Sequence, residues 1–126
     1  MNENEMQEFM KKICEVMEIA KKRGFDLKVA HTGSTRGGYM DTCTFDSIDK
    51  IVVSVDIGYC GEEERYYEYL KPSDLCMSDE EWKNYILEEE RKYKEIEEKS
   101  KQEDEKIRKE KKLKEYESLK KELGFN

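Results

Sequence analysis

The chain has 126 residues, of which 44% are charged and only 36% hydrophobic, and its formal net charge is −7. That length gives one domain with an appendage rather than two domains, and the apolar share limits it to a small core. The acidic balance argues against a general nucleic-acid binder, because phosphate binding needs a basic surface that releases counterions.

The opening MNENEMQEF lacks the basic and apolar regions of a secretory signal, and no apolar run approaches the length of a membrane span. The expectation is a reduced, cytoplasmic setting with no membrane contact. Cys14, Cys43, Cys60 and Cys76 have no CxxC spacing, and His31 is the one histidine. Zinc would need a scattered assembly, so no metal and no cofactor is expected.

From about Asn4 to Arg23, Met6, Phe9, Met10, Ile13, Val16, Met17 and Ala20 recur at three- and four-residue spacing. The pattern predicts an amphipathic helix with a basic last turn and Gly24 as its stop. The period then switches to two: Phe25, Leu27, Val29 and His31 alternate with Asp26, Lys28, Ala30 and Thr32, which predicts a half-buried strand. The glycines of Gly33-Ser34-Thr35-Arg36-Gly37-Gly38 supply a reversal, and a second strand is expected over Tyr39 to Phe45. In the register that keeps apolar residues together, Val29 faces Cys43 and His31 faces Asp41.

After Asp46 to Asp49, a third strand should point Ile51, Val53, Val55 and Ile57 inward. Arg65 to Leu70 reads as a fourth, with Tyr67 and Tyr69 inward and Tyr66 exposed, although a helical turn competes. Residues 1–76 therefore form a small α+β domain: an N-terminal helix and an antiparallel meander of three to four strands.

Residues 77–126 read as a long charged C-terminal helix, with its first half packed on the domain. Ser78 with Glu81 is a capping box, Met77 with Trp82 fits a hydrophobic staple, and Gly124 is a stop. At about 1.5 Å per residue such a helix spans on the order of 70 Å, against a radius of gyration of about 11–12 Å for the body. Trp82, Tyr85, Ile86, Tyr93, Ile96 and Ile107 share one face, whereas Leu113, Tyr116, Leu119 and Leu123 share roughly the opposite one. Two contact surfaces follow, or a break within 100–104 or 108–112. Either the helix is mostly solvated, or the distal leucines meet a partner or a second copy as a homodimer.

Three sets of residues invite a functional reading. Ser34, Thr35 and Arg36, with His31 nearby, could hold an anion on loop 33–38, though the loop joins two strands and opens no helix. His31 oriented by Asp41 could serve as a general base, or the two could simply satisfy each other at the sheet edge. The tyrosines suit a core with a wet rim or a binding surface, with Tyr66 marking a contact patch beside Leu113, Tyr116, Leu119 and Leu123. No catalytic residue is assigned.

The stretch VAHTGSTRGGYMDTCTF resembles the glycine-rich strand-turn-strand of small proteins carried on plasmids and prophages. The tail from LKPSDLCMSDEEW through the Glu/Lys run looks like the ends of small accessory proteins in phages of low-GC bacteria. The resemblance implies origin on a mobile element, where small acidic proteins antagonise host defence such as CRISPR nucleases. The expectation is a non-enzymatic protein-binding module, an anti-CRISPR-like inhibitor whose partner is a host protein or complex. The alternative is a sponge that binds a small molecule or nucleotide on the glycine-rich loop 33–38.

Overall fold

A computed structural model describes residues 1–124, so the last two residues of the 77–126 segment lie outside the described residues. The element order is α1 (Glu3–Thr32), β1 (Thr42–Ser47), β2 (Lys50–Asp56), β3 (Arg65–Leu70), α2 (Pro72–Cys76) and α3 (Asp79–Glu122). The architecture is α+β: an N-terminal helix, a three-stranded antiparallel sheet in the order β1-β2-β3, and a long C-terminal helix. Two compact units result, one of Met1–Glu90 and one starting at Arg91.

The expected strand over residues 25–32 is helix instead. Asn2 caps α1 by accepting the Glu5 N–H at 2.8 Å, and the helix ends only at Gly33, whose φ of 69° is the left-handed stop. Gly24 lies inside it and ends nothing. Its missing side chain lets the helix settle onto the sheet, because a Cβ there would lie 2.3 Å from Val53 Cγ2. Lys28, read as the polar side of a strand, is almost fully buried in α1.

Ile51, Val53 and Val55 point into the core as the alternation requires. Cys43 pairs with Val53 and Phe45 with Ile51, within a strand shifted to Thr42–Ser47 from the expected Tyr39 to Phe45. Across the other ladder Ile51 meets Leu70, Val53 meets Glu68 and Val55 meets Tyr66. That parity puts Tyr66, Glu68 and Leu70 on the covered face, so Tyr67 and Tyr69 point outward rather than inward. Tyr66 is accordingly half-buried and packed against the core, not an exposed patch.

The core is Ala20, Leu27, Met40, Ile51, Val53, Val55, Leu70 and Trp82. Trp82 enters from the first turn of α3, which starts as its capping residues dictate: Ser78 Oγ accepts the Glu81 N–H at 3.2 Å and donates to Glu81 Oε1 at 3.0 Å. The Trp82 indole donates to Asp26 Oδ2 at 2.9 Å, and the buried Arg23 guanidinium lies 5.1 Å from the ring centroid. Arg23 also donates to the carbonyls of Asp74 and Met77, fixing the path from α2 into α3. α3 is one helical element of 44 residues, so the alternative of a break within 100–104 or 108–112 is not realised.

Candidate protein-binding face and the polar cluster behind it

The sheet is covered on one side only. Alternation places Thr42 and Thr44 of β1, Val52 and Ser54 of β2, and Tyr67 and Tyr69 of β3 on the side away from α1. The rows run Thr44–Val52–Tyr69 and Thr42–Ser54–Tyr67 across the three strands. Tyr67 and Tyr69 are 52% and 56% exposed. Lys50 Nζ stands 5.0 Å from the Tyr69 ring centroid, and Arg65 donates to Ser54 Oγ at 2.9 Å while pairing with Asp41. The edge of this face opens into a groove of about 640 Å³ lined by Asp49, Lys50, Tyr69, Lys71, Asp74 and Tyr85 among others. Exposed tyrosine rings with an arginine beside them are residue types that protein interfaces favour.

Behind the sheet, His31 does not meet Asp41. Its ring lies between two carboxylates from two other elements: Nδ1 is 3.2 Å from Glu68 Oε2 on β3, and Nε2 is 3.0 Å from Glu89 Oε2 on α3. Tyr66 donates its hydroxyl to the same Glu68 oxygen at 2.7 Å. A carboxylate only accepts and a neutral imidazole carries one N–H, so both contacts are hydrogen bonds only when the ring is doubly protonated. Burial alone would lower the His31 pKa, but the Glu89 hydrogen bond and the charge of Glu68 outweigh it and hold the pKa above its ordinary value. Burial, with Glu89 second, likewise raises the Tyr85 phenol. In its protonated form the ring braces α1, β3 and the start of α3 through both of its nitrogens.

Loop 33–38 is organised from within. Buried Lys28 sends its ammonium to the carbonyls of Ser34, at 3.2 Å, and Arg36. Thr32 Oγ1 accepts the Ser34 N–H, Ser34 Oγ accepts the Arg36 N–H, and the Thr35 carbonyl accepts the Gly38 N–H. Those amides are therefore spent on the loop's own turns. Arg36 lies over the Tyr59 ring at 5.0 Å, and Thr35 is exposed. His31 is engaged by Glu68 and Glu89, and Arg36 by the Tyr59 ring. Leu113, Tyr116, Leu119 and Leu123 are exposed along α3 and the residue after it.

No family model, curated protein or solved structure matches this chain. Among the described residues no group of three or more His, Cys, Asp or Glu could hold a metal, and no helix is long and apolar enough to cross a membrane. Sequence reasoning missed Tyr67 and Tyr69 as the outward rings and Glu68 and Glu89 as the partners of His31. The signal for the first was the Tyr-Tyr-Glu-Tyr-Leu run itself: placing Leu70 inward forces Tyr67 and Tyr69 outward.

Proposed function

We propose that this chain is a non-enzymatic protein-binding module whose contact surface is the open face of the sheet. The observation that carries the reading is the pair Tyr67 and Tyr69, more than half exposed on the side opposite α1. Tyrosine contributes a large, rigid contact area with one polar end, and rings of this kind dominate binding energy where they are enclosed by a partner. The sheet supports them without needing them for its core, since Ile51, Val53, Val55 and Leu70 are all on the other face. A host defence protein of low-GC bacteria is the partner class to test first, as the resemblance of the glycine-rich turn and the charged tail suggests.

The test compares affinity capture by the native chain with capture by a Tyr67→Ser, Tyr69→Ser double variant. Because both positions are exposed, the variant should unfold at the same denaturant concentration as the native chain. A protein recovered by the native chain and lost with the variant supports the reading. Equal recovery by both would move the contact surface off this face.

A further inference from the structure

We propose that the first half of α1 is the docking face for the distal part of α3 from a second copy of this chain. Every fully buried residue of α1 lies at Ala20 or beyond; Met6, Phe9 and Met10 are exposed, and Ile13 and Met17 are half-buried. Yet the seam that enters the core does not begin there. Met6, Met10, Ile13, Met17, Ala20, Gly24 and Leu27 follow one unbroken four-three spacing, and in its N-terminal half the first members Met6 and Met10 are exposed, Met10 at 58%. Phe9 and Val16 widen that half to the stripe of a helix with a partner, rather than the narrow line of a solvated one.

The chain carries a matching surface. Leu113, Tyr116, Leu119 and Leu123 form an exposed stripe, with Lys112 and Lys120 on the same side. At 1.5 Å per residue, Met6 to Met17 and Leu113 to Leu123 each cover about 15 Å. Their charges are opposite: residues 3–19 hold five acids and two lysines, whereas residues 106–122 hold eight bases and four acids. Pairing either stripe with its own kind sets like charge on like, and pairing one with the other neutralises both. Methionines at positions 6, 10 and 17 adapt to branched leucines and favour contact with the Tyr116 ring. Reciprocal exchange between two copies satisfies both stripes of both chains and closes a two-fold dimer. The tyrosine face of the sheet takes no part.

The experiment uses the full chain and two single variants, Met10→Asp and Leu119→Asp, in light scattering and native mass spectrometry. Both positions are exposed, and unchanged helicity by circular dichroism confirms the fold; Met10→Gln and Leu119→Gln are milder substitutes. The native chain should be a dimer, and each variant alone a monomer because both of its reciprocal contacts are spoiled. Mixing the two variants should restore a heterodimer, since one of the two contacts is then formed between intact stripes. A native monomer overturns the proposal, and so does a mixture that stays monomeric, the result expected if like stripes pair.

Discussion

Val53 Cγ2 occupies the place where a Cβ on Gly24 would sit, 2.3 Å away, and Val53 is completely buried. A β-branched side chain enclosed on all sides cannot swing clear of a new methyl group. α1 and β2 therefore approach only because residue 24 has no side chain.

Gly24→Ala separates local from tertiary preference. Alanine improves an isolated helix by about 1 kcal/mol, whereas forcing a methyl into a packed core costs about 1–3 kcal/mol. The expected outcome is a net loss on the order of 1 kcal/mol, read as a lower urea midpoint with an unchanged slope. Adding Val53→Ala should recover part of what Gly24→Ala costs on its own background, because the methyl then has room.

The His31 brace makes stability depend on pH with a definite sign. The folded pKa is raised above the unfolded value of 6.5. The stabilisation is therefore complete below that value and is lost as pH rises through the raised folded pKa. Glu68 and Tyr66 face the ring from β3, Glu89 with Tyr85 behind it from α3, and Lys28 stands one turn earlier on α1. Urea midpoints should fall from mildly acidic to mildly alkaline pH, and His31→Asn should remove most of that slope. Because His31 is the one histidine, its imidazole resonance titrates unambiguously by NMR and should report a pKa above the ordinary value.

Lys28 is the internal support of loop 33–38. Burial lowers its pKa, and its hydrogen bonds to the Ser34 and Arg36 carbonyls compensate the buried ammonium. Lys28→Met keeps the length of the side chain and removes the donor to both carbonyls, at a cost of about 2 kcal/mol. Hydrogen exchange should speed up at the Arg36 and Gly38 amides while β2 stays protected. Equal protection in both proteins would mean that the loop holds itself.

Much of the fold was legible because local chemistry and tertiary demand agree. Ser78 and Glu81 form the cap their spacing announces. Ile51, Val53 and Val55 face the core because a two-residue period on a covered sheet leaves no other choice. Residues 25–32 were not legible, since alternation of apolar and polar residues over eight positions also fits the buried side of a helix. Ala20, Gly24, Leu27 and Lys28 supply that side at helical spacing, and Lys28 reads as polar surface until the carbonyls it serves are in view. The pairing of His31 with Asp41 holds only for a strand; on a helix the ring turns to Glu68 and Glu89.

The amino-acid order by itself determined the start of the long helix, the inward face of the central strand and the α+β class, since each follows from side chains within a few residues of one another. Whether Gly24 ends a helix or lets it touch a sheet, and which acids hold His31, depended on groups brought together from distant parts of the chain. Val53 is remote from Gly24 in sequence, and Glu68 and Glu89 are remote from His31. A glycine is a stop or a point of closest approach according to what lies across from it, and only the folded chain supplies that neighbour.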